Sequence, residues 1–293
     1  MKFARRILRL RWLALAAILT SAAPQTVNAH GELLIRIGAL TRQIQLATNN
    51  VAQLYLERAE LNREHKDWEA AKSDYDRASQ LDPKLAAIDF CRAKMLDESG
   101  QLEASRALLD KVVSRNPKDG EAFVSRARVL IKLNQSKPAV VDFRHGLELL
   151  RNPKPEYFLE LAQVLTAEKK TNDALRSLDS GIKKLGPVVL LQSYALDLEV
   201  GQKNIDPALA RLNTIIERAE RKENWLARRG DILLAAGRPA EAQKSFVESL
   251  AAIKILPTIL QKAPPMQNLQ SHIQTALDKI AAPTFSLNAK NEN

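Results

Sequence analysis

The sequence predicts an all-α protein in which about six helix pairs stack as a solenoid closed at both ends by capping helices. Three observations carry that prediction. Small residues recur with a period near 34 residues, turn signals fall between the periods, and the composition favours helix. Ala and Leu are abundant, whereas the 293 residues include only 10 Gly, 13 Pro and 5% aromatics.

The period is clearest from residues 55–83, YLERAELNREHKDWEAAKSDYDRASQLDP, where Ala59, Ala71 and Ala78 flank Tyr75 and Pro83 closes the segment. The Ala59 position recurs as Ala93, Ala127, Ala162, Ala195 and Gly230, in steps of 33 to 35 residues. The Ala71 position recurs as Ser105, Ala139, Ala174, Ala208 and Ala242, and the Tyr75 position as Leu109, Phe143, Leu178, Leu212 and Phe246. A further series reads Asn62, Leu96, Leu130, Leu165, Leu198 and Leu233. Between units stand LDP (81–83), RNP (115–117), RNPKP (151–155) and LGP (185–187).

This pattern resembles the tetratricopeptide-repeat family: a large residue, Leu and Gly or Ala in a first helix, then Ala, an aromatic and Ala in a second, then Pro. The first unit matches best, through Tyr55, Ala59, Ala71, Tyr75, Ala78 and Pro83, and the last through Leu226, Gly230, Leu233, Ala242 and Phe246. The second unit departs at Ser105, Leu109 and Val112. The fifth reads as carrying one extra residue in its inner turn, GQKNIDPA, with Lys222 near the expected Pro. The resemblance covers roughly residues 50–255 and implies a right-handed α-α solenoid.

The physics behind it is direct. Ala or Gly where paired helices cross lets their axes approach. A single pair cannot bury its own apolar face, so pairs stack on their neighbours. Asp67 and Asp173 are placed to cap second helices. Leu33, Ile37, Leu40 and Ile44 share one helical face and predict an N-terminal cap over 30–50, before a solenoid over 51–256. Met266, Leu269, Ile273, Leu277 and Ile280 predict a C-terminal capping helix behind a bent linker, together 257–282, and residues 283–293 read as a disordered polar tail.

Residues 1–29 read as an export signal. MKFARRILRLR is a basic n-region, WLALAAIL a short apolar stretch, and VNA before HGE a small-residue cleavage site after Ala29. SAA offers a poorer site because Pro24 would follow the cut. The expected destination is the periplasm or the secreted space; a retained segment would instead make a membrane-anchored adaptor. Lys2, Arg5, Arg6, Arg9 and Arg11 supply half of the formal net charge of +10, and no Asp or Glu lies among them. The remainder is only mildly basic, which argues against nucleic acid as a partner. Cys91 is the only cysteine, so no disulfide forms within the chain.

No motif of a catalytic or cofactor site is present, and the reading is a non-enzyme without cofactor. His30, His65, His145 and His272 lie far apart in the sequence, at no metal-ligand spacing. Cleavage after Ala29 would expose His30 as an N-terminal residue able to chelate copper through its α-amine and imidazole, as in histidine-brace proteins. The sequence offers no second His beside it.

The resemblance implies that the first helix of each unit lines a groove receiving a peptide or partner helix. By register the groove positions are Leu56, Glu60, Phe90, Lys94, Val124, Arg128, Leu159, Gln163, Gln192, Arg228 and Asp231. Apolar Leu56, Phe90 and Leu159 beside cationic Lys94, Arg128 and Arg228 suggest an acidic peptide with apolar anchors, bound to a monomer. The carboxylate clamp of chaperone-binding members is not matched, because the first unit holds Leu56 and Glu60 in those places.

Overall fold

The computed structural model describes residues 24–282, with side chains from His30 onward. The expected export signal falls largely, and the expected disordered tail wholly, outside that range. Fifteen helices lie among the described residues. They are α1 (Pro24–Leu46), α2 (Val51–Glu64), α3 (Trp68–Leu81), α4 (Ala87–Glu98), α5 (Leu102–Arg115), α6 (Gly120–Lys132) and α7 (Ser136–Leu149), then α8 (Pro155–Ala167), α9 (Thr171–Leu185), α10 (Val189–Gly201), α11 (Ile205–Arg218), α12 (Glu223–Ala235), α13 (Pro239–Lys254), α14 (Thr258–Gln261) and α15 (Pro264–Ala281). The chain divides between Leu149 and Leu150 into two compact units. The first holds α1 and three helix pairs; the second holds three pairs followed by α14 and α15.

Each pair is closed by the same turn. The amide that follows the left-handed residue donates to a carbonyl five residues back: Asp67 to Asn62, Gln101 to Leu96, Gln135 to Leu130, Lys170 to Leu165, Asn204 to Glu199 and Arg238 to Leu233, all at 2.7–2.9 Å. This is the Schellman arrangement, which satisfies helix-terminal carbonyls. It requires a positive φ one residue earlier, found at Lys66, Gly100, Asn134, Lys169, Lys203 and Gly237. The period is therefore written in the backbone as well as in the side chains.

These turns correct the register of the fifth pair. Counted back from Lys203, the position of Ala59 belongs to Leu196 and that of Asn62 to Glu199, not to Ala195 and Leu198. The inner turn has the common length, and no extra residue sits in it. Glu199 is buried, and Arg211 reaches it from α11 with Nε–Oε2 at 3.0 Å and Nη2–Oε1 at 2.7 Å.

The small-residue positions lie where paired helices touch. Ala59, Ala93, Ala127 and Ala162 are fully buried, as are Ala71, Ala139, Ala174, Ala208 and Ala242. Ser105 is equally buried; its hydroxyl donates to the Ala93 carbonyl at 2.7 Å, so the polar atom is satisfied inside the pair. At Gly230 a Cβ would stand 2.5 Å from Cε1 of the buried Phe246 ring. At Gly146 it would meet the Gly120 carbonyl oxygen at 2.8 Å.

Caps follow local chemistry. Asp67 accepts from the Ala70 amide and Asp119 from the Ala122 amide, each at 3.1 Å. Asp173 does not cap α9, which begins two residues earlier; it sits inside the first turn, pairs with Arg176, and still favours the helix N-terminus by its charge. α1 runs through Ala29 without a break and turns Leu33, Ile37, Leu40 and Ile44 inward, each half-buried. At the other end α15 buries Met266, Ile273 and Ala276 in the core that holds Phe246 and Ile253, with Leu269, Leu277 and Ile280 packed alongside. The linker folds as α14, held by Gln261 Nε2 donating to the carbonyls of Lys254 (3.0 Å) and Leu256 (2.7 Å).

Candidate functional site

In the first unit, the first helices α2, α4 and α6 carry the residues that register placed in the groove. Between α1 and α2, bordered by Cys91 of α4, lies an open pocket of about 560 Å³. Ala39, Leu40, Leu56 and Leu61 supply its apolar wall, and Arg36, Glu57, Glu60 and Glu64 its charges. Leu56 is buried against the core beneath, so it is both pocket wall and packing residue.

Glu60 is the most connected of these side chains. The Tyr75 hydroxyl and Arg63 donate to it, and Lys94 Nζ approaches its Oε2 at 3.3 Å. Burial pushes the carboxyl up, but these hydrogen bonds and the charges of Arg63 and Lys94 outweigh it and hold Glu60 below the usual carboxylate range. The same environment acts oppositely on its neighbours. Burial first, then the hydrogen bond to Glu60, raise the Tyr75 hydroxyl. Burial and the Glu60 charge push the Cys91 thiol up to about 11, which leaves it unreactive near neutrality.

Ion pairs between successive units run along this face. Besides Glu60–Lys94, Arg63 donates to Glu98 at 2.6 Å and Lys132 to Asp97 at 2.7 Å. Arg126 grips Asp142 in its own pair (2.6 and 2.7 Å) and Asp110 of the preceding one (3.0 Å). Val124 is fully buried and Phe90 half-buried against the core. Arg128 is half-buried and engaged.

In the second unit Leu159 is half-buried and Gln163 exposed. Gln192 is buried, with no partner for its Oε1 among the described residues, because the corrected register turns it inward. Its groove position passes to Ser193, and Asp197 joins the series that register alone had missed. Asp197 pairs with Arg228, and Asp231 with His272 Nε2 at 2.8 Å. Two of the three groove cations read from the sequence, Lys94 and Arg228, are thus already neutralised by carboxylates of neighbouring first helices. A second open pocket, of about 500 Å³, is lined mainly by polar side chains, among them Arg229 and Arg238, both ion-paired.

Among the described residues no group of three or more His, Cys, Asp or Glu side chains is arranged to hold a metal ion, and no helix is long and apolar enough to cross a membrane. One proximity escaped the sequence: the His30 and His65 rings lie with centres 4.4 Å apart.

No protein-family model matches the sequence, and no curated protein matches it. Solved structures do. A tetratricopeptide repeat protein from Parabacteroides merdae ATCC 43184 shares 19% identity over 83% of this chain and 93% of its own, with a TM-score of 0.50. The pilF protein of Pseudomonas aeruginosa shares 12% over 76% and 96%, with a TM-score of 0.51. MamA shares 15% over 59% and 94%, with a TM-score of 0.50. At such identities the likeness speaks for the fold alone, and it agrees with the consecutive helix pairs and their repeated turns: the chain has the all-helical tetratricopeptide-repeat fold.

Proposed function

We propose that this protein is a non-catalytic scaffold of the cell envelope or the secreted space, and that it binds a protein or peptide segment on the face of its first helices. The observation that carries the reading is the open pocket between α1 and α2, where an apolar wall stands beside Glu57, Glu60 and Glu64. Such a concavity suits a segment that inserts an aliphatic or aromatic anchor. Glu60 is already held by Arg63 and Lys94, so Glu57 and Glu64, facing the single pocket cation Arg36, are the carboxylates that favour basic flanks on that segment. Basic flanks are preferred over acidic ones on this reading, because Lys94 and Arg228 already pair with Glu60 and Asp197. Placement outside the cytoplasm rests on the basic, apolar and small-residue order of residues 1–29.

Panning a random peptide library on the full chain tests the proposal. Enriched peptides should pair an apolar anchor with Lys or Arg. Their affinity should fall by about tenfold or more in Glu57→Lys combined with Glu64→Lys. Both carboxylates are exposed, so the fold tolerates the change. Failure to enrich any peptide, or equal affinity for the variant, rejects the reading.

A further inference from the structure

Antiparallel packing of α1 on α2 sets residues equally far from their connecting turn side by side. Arg58 of α2 donates to Thr41 of α1 at 2.9 Å. Farther from that turn, His30 meets His65, with ring centres 4.4 Å apart and planes tilted by 43°. His30 is exposed and His65 half-buried. No hydrogen bond to either ring is found among the described residues, so the ring nitrogens are not committed to the fold.

We propose that His30 and His65 form a two-imidazole site for a divalent late transition metal, Cu²⁺ foremost. The two rings are close enough to reach one ion side by side. With metal–nitrogen bonds of about 2.0 Å, imidazoles at adjacent corners of a square plane have centres roughly 4.5 Å apart, and on a tetrahedron roughly 5.1 Å. The 4.4 Å separation lies nearer the square-planar value, the geometry Cu²⁺ and Ni²⁺ prefer, with rotation of the rings left to aim their nitrogens at the ion. Among these ions Cu²⁺ binds nitrogen ligands most tightly. Water would supply the remaining ligands in the intact chain. If the chain is cut after Ala29, the His30 α-amine becomes a third nitrogen within chelate reach of its own ring. A bound ion would tie the α1 cap to the first repeat, and it is independent of the peptide pocket.

The test is titration of the full chain with CuCl₂, followed by calorimetry and by electron paramagnetic resonance. The expected result is one tight equivalent, with nitrogen hyperfine structure from two imidazoles. His30→Asn and His65→Asn should each weaken it by more than tenfold, since losing even an outer-shell partner of a ligand costs roughly 10–100-fold. His145→Asn should leave it unchanged. Copper binding that survives both His30→Asn and His65→Asn, or no binding tighter than that of the doubly substituted chain, overturns the proposal and leaves the two rings as a stacking contact.

Discussion

Gly230→Ala separates two physical arguments by sign. Judged by helix propensity alone, Ala in the interior of α12 should stabilise by about 0.8–1.0 kcal/mol. The packing says otherwise. The new Cβ would lie 2.5, 2.7 and 2.8 Å from Cε1, Cδ1 and Cζ of Phe246, whereas carbon atoms rest at about 3.5–4.0 Å. Phe246 is fully buried between α12 and the α15 cap, so its ring has nowhere to retreat. Overpacking of this kind costs about 1–3 kcal/mol, which leaves a net loss of about 0–2 kcal/mol after the propensity gain. A stacked array need not unfold in one step, so urea melts followed by circular dichroism should be paired with amide exchange, which localises the loss to α12 and α13. Phe246→Leu added to Gly230→Ala should recover part of the loss. A Gly230→Ala protein that gains stability would refute the claim that small residues are required where the paired helices cross.

Other perturbations follow from the same contacts. Asp142→Asn should cost about 2–3 kcal/mol by urea melt, because it leaves the Arg126 guanidinium in a largely enclosed place; Asp110→Asn, whose carboxylate is nearly half exposed, should cost less than about 1 kcal/mol. Glu60 has a carboxyl held below its unfolded value, so its contribution is complete above about pH 4.3 and is lost as pH falls through the lower folded value. Thermal melts should therefore show stability declining on the acid side, with a shallower slope in Glu60→Gln. Cys91, pushed up to about 11, should react with a thiol reagent at pH 8 on the order of a hundredfold more slowly than an ordinary exposed thiol; labelling at the ordinary rate would contradict its enclosure beside Glu60. Ile273→Ala should cost about 2–4 kcal/mol and loosen α15 first, as amide exchange would report.

Much of the fold was legible because a helix pair needs small side chains at its crossing, and that need repeats in every unit. Where it blurred, a particular residue blurred it. In the fifth unit Ala195 and Leu198 look like the repeating small and apolar residues, and Glu199 looks like surface. The structure buries Glu199 on Arg211, a compensation twelve residues away that no hydrophobic pattern announces. Aligning the units on their turns, with Lys203 following Lys169, would have recovered the register. The groove was less legible than the fold. Register told which residues share the first-helix face, but not that Lys94 would be taken by Glu60 one unit earlier, or Arg228 by Asp197. Such pairs are visible once a residue is compared with those one period away. The nearness of His30 and His65 is not legible in the sequence, because antiparallel helices join residues far apart along the chain.

On the proposed function the α1–α2 pocket receives a peptide anchor. The most direct measurement is photo-crosslinking of an enriched peptide that carries photo-leucine at its anchor, with the attachment points read by mass spectrometry. Adducts are expected on the pocket wall, at Leu40, Leu56 or Leu61 and their immediate neighbours. Adducts spread over the surface, or confined to residues beyond Leu150, would contradict it.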